Sequence, residues 1–338
     1  MQASASAALG SPMYARLHHE LGERYSSDPA ASVLRDLLTD RTTRPVHDAV
    51  VLRLAGAVHR LVLRGAAPDL AVHYPTTGGQ PGDGFVDAVL DVVTRHREEV
   101  DLALDEQVQT NEVGRSAVLA AGFALIGRRS GLPLELFELG ASAGLNLHWD
   151  RFWYDTGETS IGDPSSTVRF TDVWRAAPVL SPVHIVDRHG CDIAPLDAGD
   201  PVARLRLLSF VWPDQLERFK RLGNALEIAS NFGGTIERAD AGEWLGRRLP
   251  DRALGATAVV YHSIVWQYLP GATKDAVRDV LDHWGRRATS EQPLTWLRME
   301  PDGAHASLRL RTWPGGHDEV LAAATFHGAD IRWTGPNA

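Results

Sequence analysis

The chain has 338 residues, 44% of them hydrophobic and 23% charged, enough for one large core or a core with a sizeable appendage. Its 34 Lys and Arg stand against 43 Asp and Glu, a formal net charge of −9, which argues against a nucleic-acid backbone as the main partner. The single cysteine, Cys191, excludes an intrachain disulfide and a cysteine-rich metal site, and no apolar run approaches the ~20 residues that span a bilayer.

Met1 to Pro12 is rich in Ala and Ser but lacks a basic segment and a long apolar core. It is expected to be a frayed terminus rather than a signal peptide, and with the lone thiol it points to a cytoplasmic protein. Up to about residue 128 the pattern is helical: Tyr14–Tyr25, Ala30–Leu38, Pro45–Leu63 and Gly84–Leu104 carry apolar residues three and four apart. His73 to Gly82 has the composition of a loop. Thr110 and Asn111 are expected to cap a helix running to Arg128, with Glu112 in its first turn. On that helix Asn111, Glu112 and Arg115 share a face, either as an i, i+3 ion pair or as part of a site in which Arg115 meets a ligand carboxylate. His18, His19, His47 and His59 show no metal spacing, so no metal is expected.

From residue 131 strands alternate with helices, the signature of an α/β sheet. Strands are expected at 134–139, 183–192, 235–239, 257–262, 294–299, 306–312 and 320–333, the last interrupted near Gly328. Helices are expected at 144–152, 200–210, 213–230, 241–249 and 271–288, with Pro213 in a first turn. The result is a parallel sheet finished by antiparallel strands. Residues 1–128 then form a helical lid or cap, residues 129–338 form the sheet domain, and 154–180 is an insertion, read as a hairpin.

The most informative stretch is Leu134 to Leu147. A buried-strand run ends in the acid Glu138, breaks into Gly140, Ala141, Ser142, Ala143 and Gly144, then resumes as a helix. Glycines there permit a tight turn, and the following helix start is expected to offer N–H groups to a ligand. An acid for ribose hydroxyls belongs at the end of the next strand, where Asp192 is preferred to Asp155. Asp240 reads as a helix N-cap at the end of the third strand. His262 and Ser263 close the fourth, followed by Trp266, Gln267 and Tyr268. Trp296, Arg298 and Glu300 share one strand face. A Gly-x-Ser-x-Gly elbow and a Walker Gly-Lys-Ser/Thr are both missing from the sequence.

This order resembles the class I S-adenosylmethionine-dependent methyltransferase fold, a Rossmann-like α/β sheet. More narrowly the chain is similar to a bacterial family known only as a domain of unknown function. That resemblance is carried by Thr110 to Arg115, Glu138 to Leu147, Trp212 to Gln215 and Tyr261 to Leu269. It implies that Gly140, Ser142 (where the pattern has glycine) and Gly144 lie against S-adenosylmethionine, with Glu138 facing its ammonium or a bound water. It further implies Asp240 on the adenine amino group beside the small Ala241, and Ser263 with the candidate base His262 and Tyr268 near the acceptor. The Asp/Asn-Pro-Pro-aromatic motif of amino-group methyltransferases is missing. The expected activity is alkyl transfer, most simply of methyl, to a small molecule. The alternatives are a lyase or cyclase that releases methylthioadenosine from S-adenosylmethionine, or a non-catalytic nucleoside-binding scaffold.

Overall fold

The computed structural model describes residues 4, 6, 10–39, 41, 49–234 and 236–337. Pro45 and His47, at the expected start of one helix, and Thr235, at the expected start of one strand, lie outside the described residues. The chain divides into two compact units: Met1–Thr110 with Pro201–Gly223, and Asn111–Asp200 with Asn224–Ala338. The division falls at Thr110 rather than at 128, because the helix between them belongs to the sheet unit.

The first unit is helical. It holds α1 (Pro12–Arg24), α2 (Ser32–Leu38), α3 (Val50–Leu63), α4 (Pro68–Ala71), α5 (Phe85–Arg95), α6 (Arg97–Asp105) and the later helix Pro201–Ser209. The expected Gly84–Leu104 helix leaves helical geometry at His96. Both pieces thereby bury their apolar faces, Val89 and Val93 from one and Val100 and Leu104 from the other, in a single core with Leu61 and Phe85. His59 is fully buried there with both ring nitrogens engaged, 3.1 Å from the Ser209 carbonyl and 2.9 Å from Thr76 Oγ1. Burial pushes its pKa down to about 4, so it is a neutral packing residue.

The second unit opens with α7 (Arg115–Ser130), buried almost all round from Ser116 to Ile126. It starts three residues later than its sequence suggests. Gly114 lies against the backbone of His327, where a Cβ would stand 2.1 Å from the carbonyl oxygen, so the residues before it follow a non-helical path. Twelve strands follow: β1 (Leu134–Leu139), β2 (Trp153–Asp155), β3 (Ser160–Gly162), β4 (Arg169–Phe170), β5 (Trp174–Ala176), β6 (Ile185–Asp192), β7 (Ile236–Arg238), β8 (Thr257–Ser263), β9 (Leu294–Asp302), β10 (His305–Trp313), β11 (His317–Ala324) and β12 (Ile331–Trp333). Helix α8 (Leu216–Phe232) precedes β7, α9 (Ala241–Arg248) follows it, and α10 (Gly271–Gly285) follows β8.

Nine strands form one mixed sheet in the order β5-β12-β11-β10-β9-β8-β1-β6-β7. The stretch from β7 to β9 is parallel, β9-β10-β11-β12 is antiparallel, and β5 joins the edge parallel to β12. β1 is buried on both faces, as a central parallel strand must be, which is why its apolar run marks its ends so cleanly. From β1 the chain winds outward to β6 and β7, then returns to β8 on the other side of β1. That reversal falls at the carboxyl ends of β1 and β8, the usual ligand position in such sheets. Helix α7 covers the face bearing Glu138 and Tyr261, with Phe123 edge-on to Tyr261 at 5.1 Å. Helices α9 and α10 cover the other, where Trp244 meets Phe137 at 6.2 Å and Gly285 lies under Trp313.

Several local expectations are revised. The helix at 144–152 is a 3-10 helix, Leu145–Arg151, kinked at His148. Pro213 lies in a turn before α8, where Asp214 accepts from Ser11 and from the Met13 N–H. The 154–180 insertion exceeds a hairpin: β2 and β3 do form one, but β4 adds a third strand and β5 continues into the large sheet. The interruption near Gly328 splits the last strand into β11 and β12. Gly328 sits at φ +75° with a would-be Cβ 2.1 Å from the Gly114 carbonyl oxygen, a close backbone crossing that only glycine allows. No helix among the described residues is long and apolar enough to cross a membrane.

Candidate functional site

The turn after β1 alternates into left-handed geometry at Gly140 (φ +71°), Ser142 (φ +55°) and Gly144 (φ +71°). Every N–H from Gly140 to Leu145 is already donated. Gly140 and Ala141 both reach the Cys191 carbonyl at 2.9 Å, and Gly144 reaches that of Ala141 at 2.7 Å. Ser142 N donates to Asp192 Oδ2 at 2.8 Å, while Ala143 N and Leu145 N donate to Asn111 Oδ1 at 3.2 and 3.1 Å. The expectation of a helix start with donors to spare is therefore corrected: side chains of this chain fill the place a phosphate would take. Asn111 is a capping group for this turn, not a partner of Arg115 on a helix face. Arg115, the first residue of α7, donates from Nη1 to the Ser263 carbonyl at 2.9 Å and from Nε to the Phe326 carbonyl at 3.1 Å, tying the end of β8 to the segment before β12.

Asp192 closes β6 as expected and reaches the turn, whereas Asp155 binds its own Gly157 N–H in the small sheet. The second Asp192 oxygen accepts from Ala194 N at 2.9 Å. Asp192→Ala leaves two amides without an acceptor and is expected to lower stability by about 2–4 kcal/mol in urea unfolding, while Asp192→Asn, which keeps one oxygen, costs about half as much. An unchanged unfolding midpoint for the alanine variant would show that the carboxylate does not fasten the turn.

Glu138 is the group at this turn with chemistry to spare. It is 2% exposed, and its Oε2 has no partner. Tyr261 stands beside it in register across β1 and β8, its hydroxyl near enough to favour the carboxylate but not closing a hydrogen bond of normal geometry. Burial dominates and, helped by the Asp192 charge, pushes the Glu138 carboxyl up to about 8 against the pull of Tyr261 and Arg115. It is a neutral acid at physiological pH. The buried Ser142 Oγ and Asn146 Oδ1 also lack partners. Tyr261 has no site role legible in the sequence, because only the strand register brings it to Glu138.

His262 is fully buried and lies on the opposite face of the sheet. Its ring stacks on Trp266 at 5.1 Å and tilts against Trp296 at 5.9 Å. Nδ1 lies 2.6 Å from Glu300 Oε1, which also accepts from Val265 N and Trp266 N at 3.1 and 3.2 Å, and Nε2 has no partner. The shared face of Trp296, Arg298 and Glu300 is thus where His262 sits, a link the sequence left unmade. Between them Ile264 holds φ +50°, a strained value for a β-branched residue, with its N–H on the Met299 carbonyl. The next residue, Val265, covers Gly140. Tyr268 is 75% exposed, outside this packing.

Asp240 is a complete N-cap. Oδ1 accepts from Gly242 N and Glu243 N at 2.9 and 3.2 Å, and Oδ2 from Thr273 Oγ1 at 2.5 Å, with Ala241 buried behind it. Glu135, Asp187 and His189 also converge, near the start of β1. Glu135 is already engaged there by His189 Nε2 at 3.1 Å and Ala253 N at 2.6 Å, which binds β1 to its neighbours. A cavity of about 330 Å³ opens beside Gly144, between the 3-10 helix, the 195–199 loop and the end of α8.

No curated protein and no solved structure matches the chain. A family model does, over residues 1–333, and with it the chain belongs to the bacterial family described as uncharacterized protein conserved in bacteria (DUF2332).

Proposed function

We propose that this chain is an S-adenosylmethionine-utilising enzyme that transfers an alkyl group, most simply methyl, to a small-molecule acceptor. The observation that carries the reading is Glu138: a buried, neutral carboxyl with an unpartnered oxygen, at the carboxyl end of the strand where the chain order reverses. The run of parallel strands β7-β6-β1-β8-β9 followed by an antiparallel end is consistent with a Rossmann-like methyltransferase sheet. The buried polar atoms fit such a ligand, since an ammonium would give Glu138 Oε2 its partner and draw the proton off it. When bound, S-adenosylmethionine supplies a carbon made electrophilic by sulfonium. The turn, fastened by Asn111, Asp192 and the Cys191 carbonyl, holds its shape without the ligand. The buried thiol of Cys191 suits a reducing cytoplasm.

A second reading in the same ligand class is splitting or cyclisation of the aminobutyrate arm with release of methylthioadenosine. The position of His262 favours it: turned to the face opposite Glu138 and enclosed by Trp266 and Trp296, the ring is not a base held ready beside an external acceptor.

Mass spectrometry of S-adenosylmethionine incubated with purified protein, with and without bacterial extract, tests both. S-adenosylhomocysteine and a methylated product that appear only with extract are the expected result. Methylthioadenosine formed with no acceptor present replaces the first reading by the second. No turnover, together with no calorimetric binding of S-adenosylmethionine or S-adenosylhomocysteine, overturns both and leaves a scaffold.

A further inference from the structure

We infer that the cavity beside Gly144 receives an uncharged, flat, hydrogen-bonding ring system of nucleoside size, the adenosine portion of the ligand; this rests on the S-adenosylmethionine reading above. Three observations carry it. The first is size and continuity. The cavity measures about 330 Å³, within the range of small-ligand sites, and its wall includes Ala143 and Gly144 of the turn that follows Glu138. Gly144 holds φ +71°, which favours glycine, and a Cβ there would stand 2.7 Å from Ile236 Cδ1.

Charge is the second. The guanidinium on the cavity wall, Arg188, is held by Asp150 in a two-point pair at 2.8 and 3.2 Å and also donates to the Leu147 carbonyl. His148 is 6% exposed, its Nδ1 has no partner, and burial with the nearby Arg188 pushes its pKa down to about 4. A neutral imidazole can donate to or accept from a heterocycle and brings no positive charge to a phosphate. Asp197, the other charged residue of the wall, takes the Gly199 N–H at 2.7 Å, and the small Ala198, Gly233 and Gly234 let a planar ring lie flush.

The third is the state of the alternative position. The resemblance puts the adenine amino group on Asp240, yet that carboxylate already accepts from two backbone amides and from Thr273. Asp240 has about one acceptor position left for an amino group, whereas the Gly144 side of the sheet holds a cavity of ring size, and the ring is placed there.

The test is calorimetry with adenosine, methylthioadenosine, S-adenosylhomocysteine and adenosine monophosphate on the full chain. Ser230→Trp fills the mouth of the cavity from an exposed helix position and is expected to weaken the three uncharged-ring ligands at least about tenfold. Ala229→Trp, deeper in the wall, acts in the same direction, and the Ser230 variant keeps the test intact should the buried one fail to fold. S-adenosylhomocysteine binding equally well to wild type and Ser230→Trp overturns the cavity assignment and leaves the S-adenosylmethionine reading standing. Adenosine monophosphate binding as tightly as adenosine overturns the uncharged class. No binding of any of the four to wild type overturns the reading and the assignment together.

Discussion

Gly140→Ala is expected to destabilise the protein by about 2–4 kcal/mol and to abolish ligand binding at the turn. Two separate costs add. Gly140 holds φ +71°, where an L side chain is strained by about 1 kcal/mol. Its Cβ would then lie 2.5 Å from Val265 Cγ2 and 3.1 Å from Val265 Cβ, an overlap that must be relieved by moving one segment or the other. Val265 cannot easily yield, because its own N–H is held by Glu300 and the preceding Ile264 already sits in a strained conformation. The displacement falls on the turn. Adding Val265→Ala to the Gly140 variant removes the Cγ overlap but neither the Cβ contact nor the backbone strain, so urea unfolding of the double variant should recover roughly half of the loss. If Val265→Ala recovers nothing, the contact is not the source of the effect.

Glu138→Gln is expected to alter how stability depends on pH. Glu138 has its folded pKa raised to about 8, against an ordinary value of 4.5. Between those two values the folded state holds a proton that the unfolded state has lost, so stability falls as pH rises through the window. The contribution is intact below about pH 4.5 and gone above about pH 8. Glutamine never ionises. The variant should match wild type at the acid end and exceed it by on the order of 4 kcal/mol at the alkaline end, read as the difference between two series of urea midpoints. A difference that does not grow with pH would mean that Glu138 ionises freely in the fold. The same group predicts a proton count: near pH 7, an ammonium ligand that converts Glu138 to its carboxylate releases close to one proton. Calorimetry in buffers of different ionisation enthalpy registers that release, and the Gln variant should show none.

Strands buried on both faces announced themselves in the sequence. Leu134–Leu139 and Thr257–Ser263 are mostly apolar, the first interrupted by Glu135 and Glu138 and the second closed by His262 and Ser263, and the turn residues around them mark their positions. The site was legible only residue by residue. Glu138 and Asp192 stand at strand ends, where sequence can place them. Which residues meet on a face depends on register between strands, more than a hundred positions apart for Glu138 and Tyr261 and 38 for His262 and Glu300, and parity puts the two pairs on opposite sides. Asn111 misled for a related reason. Its composition suits a helix start, but its side chain serves a turn 32 and 34 residues ahead.

That arrangement has a consequence for what the ten residues from Glu138 to Leu147 are. Their shape is not encoded within them. Two of the fastening side chains, Asn111 and Asp192, come from outside, and a third fastening, the Cys191 carbonyl, exists only once β6 has docked on β1. The shape of the motif therefore depends on long-range contacts and cannot be complete before they form. Transplanted into another scaffold without Asn111, Asp192 and the Cys191 carbonyl, it would be a flexible, glycine-rich loop with five unanswered amides.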